Sequence, residues 1–350
     1  MNIPLSPVNA STSPANTSVN TQKVAIVVTE RCQASSIFVV TDLLMAANYA
    51  LSQYFNCQTP LFEYELVGLS TRSKAYNGQT ITGLVPVSKC QTPDIVVLPG
   101  AFESVLPAQH TQKQLMALQP LFKHIKDWHT AGALMASVCT GNFVLASAGI
   151  THGRALSCHW ASRDTAQVLF PNEDFDCDKL VIDHGDIVSI GGAMAVSQLV
   201  LYLVNRLHSR ELALATGKLM MVELNFDNQS RFAMFRPNHQ HGDILVNQLQ
   251  QRIEEDYQQE LLLGEFAQQH GIGERQLARR FKKATGDTPL SYLQRFRVEQ
   301  VKIALESTKT AANNLIWQVG YEDPTSFRRL FKRFTGLTMQ EYRKRFSSHI

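Results

Sequence analysis

Arg279-Arg280-Phe281-Lys282-Lys283-Ala284-Thr285-Gly286 and Arg329-Leu330-Phe331-Lys332-Arg333-Phe334-Thr335-Gly336 are two copies of one octet, set 50 residues apart. The same offset pairs Leu277 with Phe327, Thr288 with Thr338, Tyr292 with Tyr342 and Phe296 with Phe346. Working outward from the first copy, residues 274–284 carry Leu277, Ala278 and Phe281 on one helical stripe, leaving Arg275, Gln276, Arg279 and Lys282 outward. Gly271-Ile272-Gly273 makes a turn, and 261–270 reads as a short helix before it. The second copy has the same plan: 313–319 helical, a turn at Gly320, then 323–334 helical. Phe327, Leu330, Phe331 and Phe334 face inward there, and Thr325, Ser326, Arg328, Arg329 and Lys332 outward. Residues 289–306 form one long helix that joins the two units.

Two copies of one basic helix-turn-helix suggest two like surfaces reading two stretches of one polymer. Duplex DNA fits, because its major groove recurs every turn and admits the start of the second helix of each unit. Arg275 and Gln276 in one unit, and Thr325 and Ser326 in the other, stand where base edges are reached. Arg280, Lys282, Arg329 and Lys332, further along, lie where phosphates set register, and Arg279 and Arg328 are outward DNA-binding candidates beside them. Charge agrees: from residue 271 onward there are 16 Lys and Arg against 7 Asp and Glu, and before it 17 against 23. A solvated charged face is the bland alternative, and charge alone does not exclude it.

The 350-residue length suggests two domains. Residues 1–22, rich in Ser, Thr, Asn and Pro, read as a disordered leader with no signal-peptide pattern. Six cysteines without a CxxC pair read as free thiols in a reducing cytosol. No uninterrupted apolar run reaches the ~18 residues of a membrane span. From 23 to about 220, short β-branched runs (23–29, 62–69, 94–100, 133–138, 180–183, 186–190) alternate with helical stretches (36–54, 113–129, from 141, 193–207). That alternation predicts an α/β domain over 23–224 with a mainly parallel sheet. Residues 225–243 read as a linker, and 244–350 as all-helical, with its helix-turn-helix units at about 261–284 and 313–334.

Ala136-Ser137-Val138-Cys139-Thr140-Gly141-Asn142 leaves a strand and enters a helix. Cys139 at such a turn is expected on top of the sheet, beside the positive end of the helix dipole. Gly100 ends another strand, and His159-Trp160 is expected to bring an imidazole nearby. No metal and no cofactor is expected.

The C-terminal hundred residues resemble the AraC-type transcriptional regulators through Gly320-Tyr321 and the run from Phe327 to Gly336, with Tyr342-Arg343 beyond. Leu277, Arg279, Phe281, Lys282, Thr285-Gly286, Pro289, Tyr292 and Arg297 repeat the match in the first unit. Met339 departs from the family pattern, which often has Pro, and is expected to loosen the last helix. Residues 23–220 resemble the PfpI-type, class I glutamine amidotransferase-like superfamily, through the Cys139 elbow, Ala146 to Ile150, Gly153-Arg154 and His159-Trp160. This implies a flavodoxin-like fold. Many such enzymes place a His directly after the Cys and a Glu after the first strand. Here Thr140 and Ser36 stand at those positions, and neither Glu30 nor Asp42 falls at the Glu position.

The resemblance implies a cytoplasmic regulator. Its N-terminal domain binds a small effector, such as a nitrogenous metabolite, through Gly100, Cys139, Thr140, His159 and Trp160, and pairs with a second copy. Its C-terminal domain binds promoter DNA and has RNA polymerase as a further expected contact. Two alternatives stay open: a Cys-dependent hydrolase or amidotransferase-like enzyme using Cys139 and His159, and a buried structural Cys beside a satisfied core His.

Overall fold

The computed structural model describes residues 19–103, 106–224 and 229–347. It divides into a first unit, residues 1–176 and 180–227, and a second, 228–350 with 177–179. Most of the expected leader (1–18) and the first residues of the expected linker (225–228) lie outside the described residues.

The first unit opens with β1 (Gln22–Val28), α1 (Ala34–Tyr54), β2 (Phe62–Gly68), β3 (Arg72–Lys74), β4 (Thr80–Thr82) and β5 (Val85–Pro86). It continues through β6 (Ile95–Leu98), α2 (Ala108–Ala117), α3 (Gln119–Thr130), β7 (Leu134–Val138) and α4 (Gly141–Ala148). It ends with β8 (Leu156–Ser157), α5 (Arg163–Leu169), β9 (Phe175–Asp176), β10 (Val181–Asp183), β11 (Ile187–Ile190), α6 (Val196–Leu207) and α7 (Arg210–Leu219). Seven strands make one sheet in the order β10-β11-β7-β6-β1-β2-β5. Only the β10–β11 pair is antiparallel. β1 from Val24 onward and all of β6 read as continuous apolar runs, and β11 is buried throughout, Ser189 included, because both sheet faces are covered.

β1 pairs with β2 on one side and β6 on the other, so the winding reverses between β1 and β6. In such sheets the crevice beyond the carboxyl ends of the strands at that reversal is where ligands sit. α1 is 21 residues long and, by length and composition alone, apolar enough to cross a membrane. Ten of its residues are buried, and Ile37, Val40, Leu44 and Ala47 join the core cluster with β1 and α6, so it is the core helix of this unit.

Three sequence readings need correction. The helix expected over 113–129 is two helices broken at Leu118, where Pro120 opens the second. Proline lacks the amide a continuing helix needs and is favoured in a first turn. Residue 22, counted with the expected leader, belongs to the sheet instead, since Gln22 already pairs with Phe62 in β1. Residues 229–243 are no free tether: Phe235 packs edge to face on Tyr292 with ring centroids 5.0 Å apart, and Phe232 on Phe346 at 5.9 Å. These two aromatics dock it on the helical unit together with the Phe235 amide, which donates to Glu299 at 3.1 Å, and the Ala233 carbonyl, which accepts from Lys302 at 2.5 Å.

The second unit is helical: α8 (Ile244–Glu255), α9 (Leu263–Gln269), α10 (Glu274–Thr285), α11 (Pro289–Ser307), α12 (Ala312–Gln318), α13 (Pro324–Thr335) and α14 (Met339–Phe346). It has two cores. Leu249, Leu277, Phe281, Tyr292 and Leu293 build one, and Val301, Leu305, Phe327, Phe331 and Tyr342 the other. α11 contributes to both, its N-terminal turns to the first and its remainder to the second. Met339 does not loosen α14. Thr338 and Glu341 form a capping box, and Met339 is buried in the second core.

Candidate functional site

The sequence repeat is also a structural repeat. Phe281 and Tyr292 pack edge to face at 5.3 Å, and Phe331 and Tyr342, 50 residues on, at 5.5 Å. The Thr285 hydroxyl donates to the Phe281 carbonyl at 2.9 Å, and that of Thr335 to Phe331 at 2.8 Å. α10 and α13 both end on a left-handed glycine, Gly286 and Gly336, and the next helix is capped by Thr288 or Thr338. Tyr292 donates to Glu254 and Tyr342 to Glu306, both at 2.6 Å, and burial followed by these carboxylates pushes both phenol pKa values up. Each unit thus holds its second helix by the same side chains.

A buried strut joins the two units. Arg297 on α11 donates from Nε to the Tyr257 carbonyl at 2.6 Å and from Nη2 to that of Gln259 at 2.7 Å, and lies 5.2 Å from the Tyr321 ring centroid. Burial lowers its pKa, and these partners offset the cost of enclosing the charge. The carbonyl of Gln258, between those two residues, would stand 2.0 Å from a Cβ on Gly320, so only glycine fits at that turn. α11, at 19 residues, spans about 28 Å.

The outward residues fall as the periodicity predicts. Leu277, Phe281, Phe327 and Phe331 are buried, while Arg275, Gln276, Arg279, Arg280, Lys282, Thr325, Arg328, Arg329 and Lys332 are exposed and Ser326 half-buried. Two of the cations have partners within the unit. Arg280 Nε donates to Asp243 Oδ2 at 2.5 Å, which holds that carboxyl below the usual range, and Arg328 Nη2 donates to Asn313 Oδ1 at 2.5 Å. Arg280 therefore also ties α10 to the cap of α8, a role that no local pattern around it signals.

In the first unit, Cys139 sits on the turn from β7 into α4 with φ 55°, a left-handed conformation costing a non-glycine residue about 1–3 kcal/mol. Its amide donates to the Ile190 carbonyl at 2.9 Å, and its carbonyl accepts from Asn142 at 3.1 Å. Asn142, fully buried, donates to the carbonyls of Ser157 (2.7 Å) and Ile190 (3.0 Å) and accepts from Ser137 Oγ at 2.5 Å. Gly141 lets α4 start against β6, since a Cβ there would be 2.3 Å from the Leu98 carbonyl. This buried polar frame, missed in the sequence, fixes the elbow. Its one legible signal is an Asn three residues past the Cys.

Gly100 closes the end of β6 across from α1. Its amide donates to Ser36 Oγ at 3.0 Å, and its carbonyl accepts from the Gln33 amide at 2.8 Å. The Thr140 hydroxyl is engaged by the Phe102 backbone, donating at 3.0 Å and accepting at 3.2 Å. His159 and Trp160 lie at half-buried positions after β8, rings 5.3 Å apart, and His159 Cδ2 faces the position of a Cβ on Gly192 just past β11 at 3.9 Å. Gly100, Cys139 and Gly192 thus mark neighbouring strand ends.

Two expectations at this mouth change. Cys139 is not exposed on top of the sheet but 3% accessible, within the core cluster that includes Val138, Ile190 and Val196. His159 Nδ1 accepts from the Ala161 amide at 3.1 Å, so the neutral ring carries its proton on Nε2, and burial lowers its pKa. The one basic lone pair of the ring in that state, on Nδ1, is engaged by the Ala161 amide. Glu30 is engaged elsewhere, accepting from Ser73 Oγ at 3.0 Å and the Lys74 amide at 3.1 Å, and Asp42 is exposed. The Cys32 thiol is pushed up to about 11 by burial and then by Glu30. None of the six cysteines forms a disulfide.

A doubly wound α/β body with a strained cysteine elbow, joined to a duplicated helix-turn-helix, defines a two-part protein. The chain belongs to the DJ-1/PfpI family, whose model matches residues 22–206. Residues 266–345 match an AraC-type helix-turn-helix domain. Among curated proteins it is similar to the HTH-type transcriptional regulator GbdR of Pseudomonas aeruginosa strain UCBPP-PA14, 25% identical over 61% of this chain and 58% of that protein. It is also similar to the HTH-type transcriptional regulator CdhR of P. aeruginosa PAO1, 23% identical over 76% of this chain and 77% of that one. The chain spans less than two thirds of the length of GbdR. The crystal structure of Drosophila melanogaster DJ-1beta aligns with 58% of this chain and all of its own at 17% identity and TM-score 0.47.

Proposed function

We propose that this protein is a cytoplasmic, sequence-specific DNA-binding regulator of transcription, controlled by a small metabolite held in its DJ-1/PfpI unit. The observation that carries this reading is the twice-built helix-turn-helix, with exposed Arg275, Gln276, Arg279 and Lys282 on one second helix and Thr325, Arg329 and Lys332 on the other. Residues 23–224 sense, and 244–350 read DNA. The effector site is the crevice at the β1/β6 reversal, bordered by Gly100, Cys139, Thr140, His159 and Trp160, with a nitrogenous metabolite as its ligand class. The tautomer of His159 and the burial of Cys139 favour binding over catalysis. A second copy pairs through the first unit, where Phe38, Met45 and Tyr49 leave one face of α1 exposed beside Tyr64. RNA polymerase is the further partner of a bound regulator.

Control works by linkage. The effector must bind one arrangement of the protein more tightly than the other, and DNA must prefer the same one. The test is a metabolite thermal-shift screen on the full chain, followed by DNA titrations with each hit. A hit that shifts DNA affinity and is recovered unchanged supports the reading. A hit that is consumed, with turnover abolished in Cys139→Ala, would instead establish the hydrolase.

A further inference from the structure

We infer that the two helix-turn-helix units divide the work unequally: the first discriminates sequence, and the second grips the backbone under an electrostatic restraint from Asp323. This rests on the DNA-reading function proposed above.

What the repeat keeps and what it changes are chemically different. Arg279 and Lys282 recur as Arg329 and Lys332 in the same exposed register. Such cations pair with phosphates, which every sequence offers. The positions at the start of the helix do not recur. Arg275 and Gln276 carry forked groups long enough for bidentate pairing with guanine or adenine. Their counterparts Thr325 and Ser326 are short, single-hydroxyl side chains that pair with any base, and Ser326 is half-buried.

The helix starts differ in the same sense. α10 begins on Gly273 with no side-chain cap on its first-turn amides, the groups that donate to a phosphate, although Glu274 places a carboxylate in that turn as well. α13 begins on Asp323, whose carboxylate accepts from the amides of Thr325 (2.9 Å) and Ser326 (3.1 Å). Pro324 has no amide to offer. The first turn of α13 is therefore already satisfied, and it sets a negative charge, with Glu322 beside it, toward a polyanion.

The test uses the full chain and duplexes selected from random DNA, then Arg275→Ala, Asp323→Asn and Gly273→Asp. Asparagine caps a helix about as well as aspartate, so Asp323→Asn removes charge while keeping the fold. The selected sites should show one half-site strongly defined and the other weakly. Arg275→Ala should cut discrimination in the strong half by about tenfold and leave the weak half as it was. Asp323→Asn should tighten binding to every duplex by ~3–10-fold, and Gly273→Asp should weaken it by a like factor. Two equally defined half-sites, or no gain from Asp323→Asn, overturn the division of labour while leaving DNA reading intact. A full chain that prefers no duplex removes both.

Discussion

Gly271 and Gly320 turn the chain at matching places in the two helix-turn-helix units, both at positive φ, 64° and 75°, yet they stand in different surroundings. A Cβ on Gly271 would meet nothing within 4 Å, whereas one on Gly320 would strike the Gln258 carbonyl. The first turn needs glycine only for its backbone. The second needs it because the segment after α8, held by Arg297, runs across it. Duplicated sequence thus makes duplicated cores, while the joint that fixes their spacing is built once and asymmetrically.

The largest effects test whether the cores are equal. Phe281→Ala and Phe331→Ala should each cost about 3–5 kcal/mol in urea unfolding. Values differing by more than twofold would mean that the repeat is one of sequence more than of packing. The glycine pair sharpens the asymmetry. Gly320→Ala should cost about 3 kcal/mol or more, from backbone strain and overlap together, and Gly271→Ala only about 1 kcal/mol. Equal costs would remove the strut as a separate element.

The smallest effect appears in acid. Asp243, held low by Arg280, contributes fully above the ordinary carboxylate value near 4 and loses its contribution as pH falls through its lower folded value. Leu330 stands where Arg280 does, so the second unit lacks this pair. Its own acid-sensitive point is Glu341, lowered by the Thr338 amide in the cap of α14. Amide exchange below about pH 4 should therefore rise first at the start of α8 in one unit and at the start of α14 in the other. Parallel loosening of α8 and α12 would contradict the assignment.

How much of this was legible in the sequence follows from the range of the interactions. The apolar spacing of Leu277 and Phe281, the run 94–100 and the Cys139 elbow are local patterns, and they placed helices, strands and turn within a residue or two. The Asn142 frame joins residues up to 48 apart, and Arg297 reaches 40 residues back to Tyr257. No local pattern encodes such pairings. The burial of Cys139 and the proton position on His159 were hidden for the same reason, since each depends on what the fold brings around them. Gln229 to Asp243 misled because its average polarity masks Phe232 and Phe235.

The DNA reading proposed above requires α10 and α13 to lodge in successive major grooves at a pitch fixed by α11 and its strut. Its most direct measurement is binding of the full chain to a selected site with about five base pairs, half a turn, inserted between the half-sites, against the same site with about ten, one full turn. Both insertions should cost the same modest share of the affinity, the part the weaker half-site adds, because the rod cannot lengthen: α10 keeps its strong half-site while α13 grips the inserted base pairs. Affinity lost with the half-turn insertion but regained with the full-turn one would show that the two helices follow their half-sites apart on a flexible joint, and would contradict a pitch fixed by α11.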